Sequence, residues 1–324
     1  MKIGRNFTNL LYIDYLNQEK REKVLSGEMA VHDMDAIVQV EEKKDIPGKI
    51  RAAEKSNINH VELDGAVPNP YLDFTEEQKE KARNAQAASD VSLSFHLPYT
   101  YIAECMCAPE EQDRQIATEL QKRYIEFASE IGCEYCNAHP GVVPFYHATG
   151  KYLEKVQDNL VKSLKELGQL AMEKGIKFHI ENNTAFDSIF VEPEELIEVV
   201  REVREEGIEI FFNFDIGHWF TRADNGKEIP SPPEEIVNEI PGEMIKELHL
   251  NDYIPGKKIF HPPLHEERGL LVRENLERYA EIVKSKETEL IVLETAFRET
   301  KQVKNRDEIL QKETEYVKEI LGLS

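Results

Sequence analysis

Lys177-Phe178-His179-Ile180-Glu181-Asn182 reads as a short strand whose apolar run ends on a carboxylate. The same rule recurs at Phe95-His96, Asn137-Ala138-His139, Asn213-Phe214-Asp215, Leu248-His249 and Leu293-Glu294. A His, Asp or Glu at a strand end is costly inside a core but ordinary at the mouth of a barrel. Six such ends aimed at one place make a cage for divalent cations.

Working outward, strand-like segments alternate with helical ones along the whole chain. Strands are expected at Lys2–Phe7, His60–Asp64, Val91–His96, Glu134–His139, Lys177–Asn182, Glu209–Asp215, Ile245–Leu250 and Glu289–Glu294. Helical stretches lie between them, for example Gln115–Ile131, Tyr152–Lys174, Pro193–Glu206, Arg273–Lys284 and Arg306–Leu321, where apolar residues recur every three or four positions. Eight strands, each followed by a helix, is the pattern of a single α/β domain over residues 1–324, a (β/α)8 TIM barrel. A doubly wound sheet shares the alternation, but the polar strand ends favour the barrel. The chain exceeds the ~250 residues a barrel needs. The surplus falls in extended βα loops at 8–45, 219–242 and 253–269. Pro230, Pro232, Pro233 and Pro241 make the second of these a loop expected to lie over the site.

Of 324 residues, 40% are hydrophobic, enough for one large domain. No run of ~18 apolar residues occurs, so no membrane span is expected. Met1 to Leu11 has no sustained apolar stretch of the signal-peptide kind, and four cysteines are few for a disulfide-built protein. A reducing cytoplasm is the expected location. Sixty-two acids against 40 bases give a net charge of −22, which repels phosphate backbones and argues against a nucleic-acid substrate. Most of that charge reads as a solvated helical surface. Cys105-Met-Cys107 and Cys133-Glu-Tyr-Cys136 read as small buried thiols, because Cys136 falls inside a strand and Cys133 at a turn.

Mixed carboxylate and imidazole donors suit zinc, manganese, iron or cobalt. Glu181, Asp215, His249 and Glu294 close four successive strands, and a closed barrel brings neighbouring strand ends together around one cation. His96 and His139 come next in order, so a second cation is held if Glu181 bridges. Glu62 ends the second strand, either near a substrate or capping the next loop. Trp219 follows His218 directly, as a wall for a sugar face or as loop packing. His179 and Glu247 each lie two residues before a proposed ligand and share its face, pointing into the barrel.

Phe95-His96-Leu97-Pro98-Tyr99, Asn137-Ala138-His139-Pro140-Gly141, Ile180-Glu181-Asn182-Asn183, Asp215-Ile216-Gly217-His218, His249-Leu250-Asn251-Asp252 and Leu293-Glu294-Thr295 together resemble the xylose isomerase-like TIM barrel superfamily. The match runs from about Asn57 to Phe297. That group holds sugar isomerases and epimerases and also endonuclease IV. Resemblance to ketose epimerases implies Glu181, Asp215, His249 and Glu294 as metal ligands. It makes the two glutamates the proton-transfer pair and has His218 contact a substrate oxygen. Resemblance to endonuclease IV implies metals on His96, His139, Glu181, Asp215, His218, His249, His261 and Glu294. The chain departs from that second pattern at Ile259, where an aspartate is needed two residues before His261, and at Pro263-Leu264-His265, in place of a Pro-Leu-Gly-like turn.

The expectation is a metal-dependent isomerase or epimerase, with one or two ions of Mn, Zn, Co or Fe. Its substrate is a sugar, a sugar phosphate or a polyol. The alternatives are a zinc phosphoesterase on abasic DNA, a related lyase or dehydratase, and a metal-binding barrel that works only with a partner subunit. Pairing into a homo-oligomer stays open.

Overall fold

The computed structural model describes residues 1–323. Eight parallel strands close into a barrel whose spatial order follows the chain. They are β1 (Lys2–Asn6), β2 (His60–Asp64), β3 (Ser92–His96), β4 (Tyr135–Ala138), β5 (Lys177–Glu181), β6 (Ile210–Asp215), β7 (Glu247–Leu250) and β10 (Leu290–Leu293). β10 pairs with β1 to seal the ring. Between β7 and β10, β8 (Tyr253–Ile254) and β9 (Ile259–Phe260) form an antiparallel hairpin. Every expected barrel strand is present, with ends within two residues of those read from the sequence. No helix among the described residues is long and apolar enough to cross a membrane.

Successive side chains on each strand face opposite ways. Outward faces carry Val61, Leu63, Phe95, Phe178, Ile180, Phe212, Phe214, Leu248 and Leu293, packed under the helices in one continuous apolar cluster. Helix Gly150–Lys174 ends on Gly175 at φ +72°, where a left-handed cap suits glycine. Inward faces are mostly polar: His60, Glu62, Ser92, Ser94, Asn137, His179, Asn213 and Glu247 are all buried there. His60 bridges Ser92 Oγ and Ser94 Oγ at 2.8 Å each. A Cβ at Gly4 would lie 2.8 Å from the His60 ring, so only glycine leaves room for it.

The segment 8–45, expected as a loop, is largely helical: Tyr12–Tyr15, Gln18–Ser26 and Asp35–Lys44. Helices Ile46–Lys55 and Glu76–Ala87 fill places that a helix after every strand implies, but the sequence does not bound them. The reason is physical: Glu76–Ala87 buries only Ala82, so it has almost no apolar stripe to read. Side-chain caps fix the starts of three of these helices. Asn17 Oδ1 accepts from Lys20 N at 2.9 Å, Asp45 Oδ1 from Gly48 N at 2.8 Å, and Thr75 Oγ1 from Gln78 N at 3.3 Å. The proline-rich part of 219–242 corrects a second expectation. It does not cover the mouth; its buried Glu234 accepts from Asn275 Nδ2 at 2.9 Å and pairs with Arg278, fastening it to helix Arg273–Ser285.

Candidate metal centre

His249, near the end of β7, is the hub of the barrel mouth. Its Nδ1 lies 3.3 Å from Glu181 Oε2, 3.5 Å from Glu294 Oε1 and 3.9 Å from Asp215 Oδ2. One donor atom from each of Glu181, Asp215, His249 and Glu294 falls within 4.8 Å of all the others. Three further groups of the same compactness share members with it: His96, His139 and Glu181; Asp215, His218, His261 and Glu294; and, deeper, Glu62, Glu247 and His249. Glu181 sits between them, with His96 Nε2 at 3.3 Å, His218 Nδ1 at 3.1 Å and His139 Nε2 at 3.9 Å. The six strand-end residues therefore meet, joined by His218 and His261.

The strand ends are pinned by asparagines. Asn182 Nδ2 donates to Asp215 O at 3.0 Å and its Oδ1 accepts from Asp215 N at 2.8 Å, locking β5 to β6. Asn251 Nδ2 donates to Asp215 Oδ2 at 2.6 Å and Glu294 Oε2 at 3.1 Å. Asp215 Oδ1 accepts from His218 N at 2.6 Å, capping the short turn that turns His218 toward Glu181. A Cβ at Gly217 would lie 1.7 Å from Asn251 Oδ1. The hairpin delivers His261, held at φ +57° by His261 N→Asp252 O (2.9 Å) and Ala296 N→His261 O (3.0 Å). Ile259 pairs with Ile254 in that hairpin, so the third group takes its carboxylates from Asp215 and Glu294.

Charge in the cage is balanced internally. Burial opposes ionisation of His96 and His218, yet the carboxylates win: Glu181 and Glu62 hold His96 at about 9, and Asp215 and Glu181 hold His218 at about 10. Burial likewise works against His249, which Glu181 and Glu294 push well up. Burial first, with the neighbouring Glu181 and Glu294, lifts Asp215 to about 7 against His218 and His249, while Glu181 and Glu294 are drawn down against burial, chiefly by His249. Burial takes His139 down to about 3 and His261 to about 4. Glu181 Oε1, His249 Nδ1 and His261 Nε2 are buried without hydrogen-bond partners. Buried polar atoms left unpaired in this way, on a mixed carboxylate and imidazole set, fit a divalent cation that displaces imidazole protons.

Above the cage lies a cavity of about 210 Å³ lined by Asn6, Asp64, Tyr99, Glu104, Asn183 and Asp187 beside the cage residues. Asp64 is a wall residue the sequence reading passed over. It shares the inward face of β2 with Glu62, and that alternation was its only sequence signal. Lys43, from helix Asp35–Lys44, reaches it at 3.3 Å, and Thr8 Oγ1 donates to it at 2.9 Å, so the long insertion helps shape the site.

Two expectations change. Glu62 lies below the cavity, fully buried and absent from its lining, bonded to His249 Nε2 at 3.2 Å and to Asn6 Nδ2 at 3.2 Å rather than to a loop backbone. Trp219 is also buried, its Nε1–H donating to Glu192 Oε2 at 3.0 Å and the Arg222 guanidinium 4.5 Å over its ring. It is loop packing and offers no wall to a sugar.

Residues 50–320 match the xylose isomerase-like TIM barrel family. An uncharacterized protein of Methanocaldococcus jannaschii is 27% identical over 163 residues, 50% of this chain and 51% of that protein. A probable endonuclease 4 of a Thermotoga species is 28% identical over 153 residues, 45% of this chain and 50% of its own. The chain thus spans about half the length of these curated relatives. The solved structure of a D-tagatose 3-epimerase-like protein superposes with a TM-score of 0.64 at 22% identity, over 98% of this chain and 99% of that one. The chain belongs to the xylose isomerase-like TIM barrel family.

Proposed function

We propose that this xylose isomerase-like TIM barrel is a metal-dependent sugar isomerase or epimerase. The observation that carries the reading is the compact set Glu181, Asp215, His249 and Glu294 at the floor of a polar cavity. Manganese, cobalt, zinc or iron suits that set, and when bound it supplies Lewis acidity to a carbonyl and its neighbouring hydroxyl. Glu181 and Glu294 reach the cage from β5 and just past β10, on either side of β6 and β7. One takes the proton from the carbon beside the carbonyl; the other returns it on the opposite face. His218 holds a substrate oxygen. Asn6, Asp64 and Asn183 offer donors and acceptors suited to hydroxyl groups. Among the described residues the cavity lining has four carboxylates, Asp64, Glu104, Asp187 and Glu294, and no lysine or arginine, which suits a neutral polyol better than a phosphodiester. The fold of the D-tagatose 3-epimerase-like neighbour supports the same choice. All four cysteines are free, in keeping with a reducing cytoplasm.

The test is proton exchange. Protein loaded with Mn²⁺ or Co²⁺ and incubated with ketoses in D₂O is expected to place deuterium on the carbon beside the carbonyl, and Glu181→Gln and Glu294→Gln to stop it. A second reading, a zinc phosphoesterase on abasic DNA, draws on the two additional groups built on His96, His139, His218 and His261, and on the Thermotoga relative. Zinc-dependent nicking of an abasic duplex, lost in His139→Ala, with no exchange into any ketose, would replace the first reading with the second.

A further inference from the structure

Three fully buried side chains beneath the cage take no part in that chemistry: Glu62 on β2, His179 on β5 and Glu247 on β7. They sit two residues before Asp64, Glu181 and His249, hence one layer deeper on the same inward faces. All three converge below His249. Its ring turns Nδ1 up to the cage, where that nitrogen has no hydrogen-bond partner, and Nε2 down to Glu62 Oε2 at 3.2 Å and Glu247 Oε1 at 3.7 Å. The other Glu62 oxygen accepts from Asn6 Nδ2 at 3.2 Å, so the carboxylate is clamped from both sides. Glu247 Oε2 faces His179 Nδ1 at 3.3 Å, and neither Glu247 oxygen has a hydrogen-bond partner.

Burial raises the pKa of Glu62 and the His249 ring beside it lowers it; as a carboxylate Glu62 only accepts, and the hydrogen of the His249–Glu62 bond is then on Nε2. The lone pair that can meet a cation is then on Nδ1, the nitrogen aimed at Glu181, Asp215 and Glu294. The opposite tautomer would present an N–H to the cage. We propose that Glu62 is a positioning residue, supported by Glu247 and His179, that locks His249 as the Nε2–H form and thereby sets cation affinity. The inference rests on the metal reading above but not on which reaction the cation serves.

The experiment titrates metal-free protein with Co²⁺, following visible absorption, and records the histidine ¹⁵N spectrum of the Zn²⁺-loaded protein. The spectrum is expected to show His249 protonated at Nε2 and metallated at Nδ1. Removing an outer partner of a metal-bound histidine typically costs ~10–100-fold in affinity, and that is the loss expected for Glu62→Ala. Glu62→Gln, whose amide oxygen still accepts from Nε2–H, is expected to recover most of the loss; Glu247→Gln is expected to lose less than Glu62→Ala. Thermal unfolding of each metal-free variant separates lost folding from lost affinity. Protonation at Nδ1, unchanged Co²⁺ affinity in Glu62→Ala, or a Glu62→Gln no better than Glu62→Ala overturns the proposal. So does an additional cation held by Glu62, Glu247 and His249 in the parent protein. Failure of the parent to bind Co²⁺ at all would instead remove the metal centre itself, a result that Asp215→Asn, expected to lose cation in a competent parent, makes recognisable.

Discussion

The two faces of the same eight strands are built on opposite principles. On β5, Phe178 and Ile180 face the helices while His179 and Glu181 face the axis; on β7, Leu248 and Leu250 face out while Glu247 and His249 face in. The outer face gains from apolar area removed from water, ~25 cal/mol per Å², and needs only shape. The inner face must match each buried donor to an acceptor, and many (β/α)8 interiors avoid that demand with Val, Ile and Leu. Here, among the described residues, Tyr135, Leu290 and Val292 form a small apolar cluster apart from the main core. Stability therefore resides mainly outside the ring, and chemistry inside it.

Substitutions on the two faces should fail in different ways. The largest effect is expected inside: Glu181→Gln or Glu294→Gln should lower turnover by ~10²–10⁴, the typical worth of a proton-transfer group, with the melting transition of the folded chain retained. Steady-state assays beside calorimetry check this, and retained turnover in either variant sinks the assigned roles. Outside, Phe95→Ala empties a cluster with Tyr71, Tyr124 and Phe127 and should cost ~3–5 kcal/mol in urea unfolding, with Co²⁺ affinity barely moved. A large affinity loss there would mean the faces are not separable.

The exception on the outer face sharpens the contrast. Arg5 points outward from β1 into a wholly buried pair with Glu313 at 2.7 Å, also reaching Thr295 Oγ1 at 3.0 Å. Glu313→Ala strands that guanidinium and should destabilise by ~3–5 kcal/mol, as an apolar truncation of similar size would not. A shift under 1 kcal/mol in the same assay would show that water replaces the carboxylate.

The smallest effect, counted per pH unit, is a pH slope from the inner face. Burial holds His60 at about 3, neutral in the fold, whereas an exposed histidine titrates near ~6.5. Below ~6.5 the unfolded chain takes up a proton that the folded chain refuses. Stability is therefore whole above that pH and falls toward pH 3, by up to ~1.4 kcal/mol per pH unit from this residue. His60→Gln should flatten the profile by that amount; an unchanged slope would place the lost stability elsewhere.

Much of this was legible from the chain. Outward residues such as Phe178 and Ile180 alternate with inward ones such as His179 and Glu181, and a two-residue period needs no tertiary knowledge. Gln18–Ser26 and Glu76–Ala87 were not legible, because each buries a single residue and its cap is nearly its only signal. Asp64 was missed for another reason. Register pairs Asp64 with His96, level with the cage, and Glu62 with Ser94, a layer lower.

The sequence by itself determined the order of strands, the face on which each polar residue lies and the residue types that close each strand, since these follow from local periodicity and chain order. Only the tertiary structure decided depth and company: Glu62 under His249, Trp219 under Arg222, and Lys43 reaching from a distant helix to Asp64. Those depend on how neighbouring strands are staggered when the ring closes, a property of the pairing rather than of any one strand.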